Sequence, residues 1–197
     1  QSSSRGLGDV YKRQLWGRPG IELVHVNDPA GDAATAAHLL EFDSVHGRWD
    51  RNIASSSAGF SVEGSALTWS SEKDPAVVPW GERGVEMVLE ASGTIKTPET
   101  LNPYFDQVGL KRVVVACPVK GVVAGEEALN IVYGSNQQLY EPARHKLITA
   151  ASCTTNCLAP VVKVVHENFG IEHGLITTIH DITNTQVPID SLSLIHI

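Results

Sequence analysis

Strand-like and helix-like hydrophobic patterns alternate along most of this chain. Five short apolar runs are typical of buried strands: residues 23–27, 86–91, 113–119, 128–133 and 147–151. Residues 32–42 follow a helical period, and Thr97 followed by Pro98 is typical of a helix start. Residues 61–69 predict an antiparallel excursion, with residues 52–58 as its polar turn. The alternation indicates an α/β fold with a mostly parallel sheet.

The region after residue 147 predicts a helix and a returning strand. Residues 153–168 follow a helical period, and Gly170 predicts the end of the helix. Residues 174–180 alternate and are β-branched, which predicts a strand. Such a helix rises about 24 Å and such a strand returns about 23 Å. Because the two lengths match, we expect His180 to lie level with Cys153.

Cys153 and His180 are the candidate catalytic pair. A cysteine at a strand-to-helix junction meets unpaired N–H groups and the helix dipole, both of which favour a thiolate. A neighbouring imidazolium lowers the thiol pKa further. A small buried structural cysteine is the alternative, and on these residues alone it stays open. We interpret Cys157 as structural and predict no metal site, since no further cysteine or histidine spacing supports zinc.

Composition narrows the class of protein. The 197 residues suit one domain or slightly more, and 42% of them are hydrophobic, as in an ordinary globular protein. No run approaches the length of a membrane span, so we expect no membrane partner. The net charge of −7 and the scattered Lys and Arg argue against a nucleic-acid partner. Three cysteines suggest a reducing cytoplasm rather than a disulfide framework.

Two sequence stretches carry a specific resemblance. Residues 151–160 read ASCTTNCLAP and residues 177–186 read TTIHDITNTQ. Together they resemble the phosphorylating glyceraldehyde-3-phosphate dehydrogenase family. Shorter similar stretches lie at residues 27–28, 42–48, 90–93 and 111–115, and the resemblance covers about residues 15–190. Residues 28–32 and 180–186 are most similar to the branch of the family associated with arsenate resistance.

The resemblance implies a fold and a division of the chain. The expected fold is a partial Rossmann-type parallel sheet followed by the start of an α+β catalytic domain. Residues 15–150 would form an incomplete NAD-binding domain and residues 151–190 the start of the catalytic domain, while residues 1–14 and 191–197 are suspected foreign segments. Gly6 and Gly8 do not predict the phosphate loop, because a third glycine and a preceding apolar strand are missing.

The cofactor-binding candidates begin with Asp28. An acidic residue at the end of the second strand is where dinucleotide folds bind the ribose hydroxyls, and its charge repels a 2′-phosphate. On spacing alone a turn aspartate is the stronger interpretation; the resemblance reverses it and implies NAD rather than NADP. The resemblance also places Lys73, Ser92 and Gly93 at the cofactor. Ala116 departs from the Ser or Thr that the family usually has near the nicotinamide ribose.

The implied activity is NAD-dependent oxidation of glyceraldehyde 3-phosphate through a thioester on Cys153, with His180 as the base. Inorganic phosphate or arsenate would release the product, in glycolysis or in arsenate resistance. The substrate and phosphate contacts implied by the resemblance are Ser152, Thr154, Thr183 and Thr185. A cytoplasmic homotetramer is expected for the intact family member.

Three alternatives stay open. Erythrose 4-phosphate is a rival substrate within the family. A Cys/His acyl-transfer hydrolase would use the same pair without a nucleotide. The third alternative is an inactive fragment, because no phosphate loop is recognised, and we expect the 197-residue chain to be inactive by itself.

Overall fold

The computed structural model describes residues 3–119, 121 and 127–180. Within these residues the chain forms two four-stranded sheets, one two-stranded sheet and four α-helices. The helices are α1 (Ser3–Leu15), α2 (Ala33–Glu41), α3 (Pro98–Phe105) and α4 (Cys153–Phe169). The predicted mixture of helices with a parallel sheet is confirmed.

The first sheet combines one parallel and two antiparallel pairings. Its strands are β1 (His25–Asn27), β4 (Ile53–Ser56), β5 (Gly59–Val62) and β6 (Ser65–Ser70), in the order β1-β6-β5-β4. β1 runs parallel to β6, and the other pairs are antiparallel. The short strands β2 (Phe42–Asp43) and β3 (Gly47–Arg48) pair separately.

The prediction of a polar turn at residues 52–58 is wrong, because β4 occupies most of that segment. Its residues after Ile53 are exposed at the sheet edge, and the ladder uses backbone groups, so polar side chains do not prevent pairing. The antiparallel excursion itself is confirmed. Its reversal between β5 and β6 is the two-residue turn Glu63 and Gly64, with φ of 51° and 82°, as tight hairpins require.

The second sheet is entirely parallel. Its strands are β7 (Met87–Glu90), β8 (Arg112–Val115), β9 (Ala128–Asn130) and β10 (Leu147–Thr149), in the order β7-β8-β10-β9. Val115 pairs with both Glu90 and Thr149, and Thr149 pairs with Asn130. The last residues of all four strands therefore lie in one row, and the loops that follow β7, β8 and β10 leave the sheet at the same edge.

Local capping explains where the helices begin and end. The side chains of Asp32, Thr97 and Ser152 accept hydrogen bonds from backbone N–H groups in the first turns of α2, α3 and α4. Pro98 occupies the first turn of α3, as predicted. α4 ends before Gly170, whose φ of 74° favours glycine. Gly8 lies inside α1, in agreement with its rejection as part of a phosphate loop.

The predicted strand at residues 174–180 does not form in the structure. These residues have no regular secondary structure, and among the described residues none pairs with them in a sheet. The sequence pattern is that of a strand, but a strand also needs a neighbouring backbone to take its hydrogen bonds. The segment still returns along α4, because His180 reaches Cys153.

Two hydrophobic clusters stabilise the sheets. One packs α3 and the segment around Trp80 against the parallel sheet, with Leu101 and Val113 fully buried. The other packs α2 against the first sheet, where Leu40 and Val62 are 1% exposed. In the part of the chain that the structure describes, no helix is both long and apolar enough to cross a membrane.

Candidate active site

Cys153 is the first residue of α4 and follows β10 after a three-residue loop at the carboxyl edge of the parallel sheet. Ser152 is the N-cap: its Oγ accepts a hydrogen bond from the backbone N–H of Thr155 at 3.0 Å. The thiol is exposed. The helix start therefore presents it together with unpaired N–H groups and the positive end of the helix dipole.

His180 lies directly against this thiol. The distance from Cys153 Sγ to His180 Nε2 is 3.2 Å, although the two residues are 27 positions apart. The hydrogen bond with His180 is the main cause that lowers the pKa of Cys153, and hydrogen bonds with the backbone and side chain of Thr154 lower it further. Partial desolvation opposes the shift. A thiolate paired with a histidine is the arrangement used in nucleophilic catalysis.

The turn before Cys153 has an unusual backbone. Ala151 has a φ of 58°, which is uncommon for a residue with a Cβ, and its side chain is buried. The side-chain amide of Asn156 bridges this residue: Nδ2 donates to the carbonyl of Ala150 at 2.8 Å and to that of Ser152 at 2.9 Å. The sequence analysis missed both features, because a left-handed alanine has no sequence signature.

The predicted substrate-binding residues have different outcomes. The structure places Ser152 and Thr154 at the helix start beside Cys153, where Ser152 Oγ acts as the N-cap and also lies 2.7 Å from Thr155 Oγ1. Thr183 and Thr185 lie outside the described residues. Contact of any of these hydroxyls with a phosphate stays a prediction.

The carboxyl end of β1 carries the first group of cofactor candidates. Asp28 follows β1, and its Oδ1 accepts the backbone N–H of Ala30 at 2.9 Å. The side-chain amide of Asn27 exchanges two hydrogen bonds with the backbone of Glu72, each 2.9 Å long. These bonds hold the loop containing exposed Lys73 beside the Asp28 turn. An acidic side chain at a strand end suits the paired hydroxyls of a ribose, so this corner fits an adenine dinucleotide.

Ser92 and Gly93 form the second group, in the loop that follows β7. The buried carboxylate of Glu90 shapes this loop: Oε1 accepts the N–H of Ser92 at 2.7 Å, and Oε2 accepts the hydroxyl of Tyr104 at 2.6 Å. Gly93 has a φ of 72°, which its lack of a Cβ permits. The sequence analysis missed the Glu90–Tyr104 pair. The one feature of the sequence that could have indicated this pair is an acidic residue, Glu90, at the end of an apolar strand.

The other two cysteines differ from Cys153. Cys117, after β8, is half-buried, and burial raises the pKa of its thiol. Cys157 is exposed one turn further along α4. Across the described residues, no group of three or more His, Cys, Asp or Glu side chains is arranged to hold a metal ion.

Comparison with known proteins agrees with this geometry. Residues 6–98 match the family model "Glyceraldehyde 3-phosphate dehydrogenase, NAD binding domain", and residues 152–194 match the corresponding C-terminal domain. Together the two matches cover more than half of the chain. It belongs to the glyceraldehyde 3-phosphate dehydrogenase family. The resemblance drawn from the two sequence stretches is therefore confirmed, and the NAD binding domain match supports NAD as the cofactor.

Members of this family from several bacteria are similar over most of the chain. Glyceraldehyde-3-phosphate dehydrogenase 3 of Nostoc sp. is 54% identical over 185 residues, which are 94% of this chain and 53% of that protein. The enzymes of Geobacillus stearothermophilus and Streptomyces coelicolor are 44% and 43% identical, over 93% of this chain and 53% of each relative. The chain thus spans about half the length of these relatives.

The domain boundaries stay predictions. The family match begins at residue 6 and ends at residue 194, so it overlaps both terminal segments that were suspected to be foreign. It leaves residues 99–151 between the two matches, where the parallel sheet is completed.

Proposed function

We propose that the whole protein oxidises glyceraldehyde 3-phosphate with NAD through a thioester on Cys153. The observation that carries this proposal is the contact of 3.2 Å between Cys153 Sγ and His180 Nε2 at the start of α4. The family membership supports the reaction class, and the Asp28 corner supports a nucleotide cofactor. An acyl-transfer hydrolase would use the same cysteine–histidine pair, but its reaction does not require a nucleotide-binding site such as the Asp28 corner.

The first chemical step belongs to Cys153. Its thiolate, stabilised by His180 and by the N–H groups of the helix start, attacks the aldehyde carbon and forms a hemithioacetal. The Nε2 of His180 then accepts the proton of the hemithioacetal hydroxyl as a general base. Bound NAD would supply the hydride acceptor for the same carbon. The thioester remains on Cys153.

Release requires a second nucleophile. Inorganic phosphate attacks the thioester carbon, the Cys153 thiolate leaves, and an acyl phosphate is formed. Arsenate has the same shape and charge and would give an arseno-ester instead, which ties the reaction to the arsenate-resistance branch as well as to glycolysis. We propose that the hydroxyls of Ser152 and Thr154, which lie at the helix start, donate hydrogen bonds to the incoming anion.

The test compares two exposed cysteines on the same helix. In the 197-residue chain, iodoacetamide at neutral pH should modify Cys153 much faster than Cys157 or the half-buried Cys117, and His180→Asn should slow the reaction at Cys153 alone. In the whole protein, Cys153→Ser should abolish NADH formation, whereas Cys157→Ser should retain it. Equal alkylation of the three cysteines, or full activity of Cys153→Ser, contradicts the proposal.

Assembly and location are further proposals from the family. We expect the whole protein to be a cytoplasmic homotetramer. Light scattering of the purified protein would measure the mass of the assembly and so test the tetramer.

A further inference from the structure

The turn that presents Cys153 is held from both sides by one side chain. Ala150 is bonded to the parallel sheet, since its N–H donates to the carbonyl of Val115 at 2.9 Å. Two residues later comes Ser152, the N-cap of α4. Between them stands Ala151, with its positive φ of 58°. The Asn156 amide donates to the carbonyls on either side of Ala151, so it links the last sheet-bonded residue to the N-cap of α4.

Asn156 holds the N-cap residue twice. Its backbone N–H donates to the carbonyl of Ser152 at 2.9 Å, as the first bond of the helix, and its Nδ2 donates to the same oxygen at 2.9 Å. Asparagine is a weaker helix former than alanine, so this position gains nothing from helix propensity. We attribute the asparagine at this position instead to the two hydrogen bonds that its side chain donates.

A left-handed alanine needs such support. Residues with a Cβ are disfavoured in this region of the backbone, and without a restraint the turn would relax to a negative φ. That rotation would change the direction in which the chain enters α4. It would move the Cys153 thiol away from its place beside His180.

We infer that Asn156 is a positioning residue for the nucleophile: its amide locks the strained Ala151 turn and thereby fixes the Cys153 thiol against His180. The inference rests on the proposed role of Cys153. Asn156 itself does not touch the reacting atoms. Its contribution passes through the backbone of residues 150–152, which distinguishes it from Thr154, a residue that contacts the thiolate directly.

The experiment measures the pH profile of Cys153 alkylation in the 197-residue chain. Asn156→Ala should raise the apparent pKa of Cys153 by about one unit, because the contact of the thiol with His180 is no longer aligned. The rate at neutral pH should then fall about threefold, since the smaller thiolate fraction is partly offset by greater nucleophilicity. Asn156→Gln, whose amide is displaced by one methylene, should shift the profile in the same direction.

Two further variants separate positioning from a general loss of structure. Asn168→Ala removes an amide from the other end of α4, where Nδ2 donates to the carbonyl of Val164 at 2.8 Å, and should leave the profile unchanged. Ala151→Gly, added to Asn156→Ala, should restore the wild-type profile, because glycine adopts a positive φ without strain. A merely structural role for Asn156 does not predict that rescue.

The outcomes also separate this inference from the proposed function. If wild-type Cys153 reacts rapidly but Asn156→Ala and Asn156→Gln keep its pH profile, the inference is wrong and the nucleophile assignment stands. Failure of Ala151→Gly to restore the profile also overturns the inference. If wild-type Cys153 reacts no faster than Cys157, the proposed function is wrong and this inference falls with it.

Discussion

Replacing Tyr104 by Phe tests the buried pair that shapes the Ser92 loop. Tyr104 is 3% exposed and Glu90 is 7% exposed, and the Tyr104 hydroxyl donates to Glu90 Oε2 at 2.6 Å. Burial is the main cause that raises the pKa of Tyr104, and the negative charge of Glu90 adds to it, so the hydroxyl keeps its proton and donates it to the carboxylate. Phe has nearly the same shape as Tyr, so the change removes the hydroxyl without opening a large cavity.

The expected cost follows from the partner that remains. A hydrogen bond to a charged group contributes about 1.5–3 kcal/mol, and Tyr104→Phe leaves the Glu90 oxygen buried without its donor. We therefore expect a loss of about 2 kcal/mol in the free energy of unfolding, or about a thirtyfold change in the folding equilibrium. With a urea dependence of about 2 kcal/mol per molar, the unfolding midpoint should fall by about 1 M.

Urea unfolding followed by circular dichroism measures this loss. Tyr133→Phe is the matched control, because the Tyr133 side chain is 85% exposed, and it should change the midpoint very little. Combining Tyr104→Phe with Glu90→Gln should cost less than the sum of the two single changes, since the charged acceptor has already been removed. Equal midpoints for Tyr104→Phe and Tyr133→Phe would refute the assignment of this hydrogen bond as a stabilising contact.

Two further predictions concern cofactor choice and pH. In the whole protein, Asp28→Ala should erode the preference for NAD over NADP by removing a charge that repels the 2′-phosphate; a wild-type enzyme with equal kcat/KM for both cofactors contradicts this. Burial, and secondarily the charge of Arg83, lowers the pKa of His25 from its ordinary value of 6.5. The unfolded chain therefore binds a proton at this histidine more readily than the folded chain does, and the stability of the fold should decrease as the pH drops below about 6.5. His25→Asn should reduce this pH dependence of the melting temperature, and His166→Asn, at an exposed helix position, should not.

Elements with a local cause could be predicted from the sequence. The start of α3 at Thr97 and Pro98 and the end of α4 at Gly170 depend on capping chemistry within a few residues, and both are confirmed. The alternation of apolar runs with helical patterns likewise predicted the parallel sheet. The predictions for two segments were wrong in opposite ways: a strand formed at residues 52–58 where a turn was predicted, and no strand formed at residues 174–180 where one was predicted. Strand formation depends on which backbone lies alongside and not on the side-chain pattern alone.

The candidate site divides in the same way. The meeting of Cys153 and His180 was predictable, because the rise of α4 and the length of the returning segment match whether or not that segment pairs in a sheet. The contact between Glu90 and Tyr104 could not be predicted, because the two residues are 14 positions apart and meet only after α3 packs on the parallel sheet. The assignment of Asp28 needed the family resemblance as well as its position.

The sequence by itself determined the alternation of strands and helices around the parallel sheet, the start of α3, the end of α4 and the cysteine–histidine pair, because each depends on residue type and on distances along the chain. Only the tertiary structure decided the pairing of the strands, the Glu90–Tyr104 contact and the positive φ of Ala151. The physical reason is that pairing and burial are properties of neighbours in space. A backbone such as that of Ala151 persists only where surrounding groups, here the Asn156 amide and the bond from Ala150 to the sheet, hold it in place.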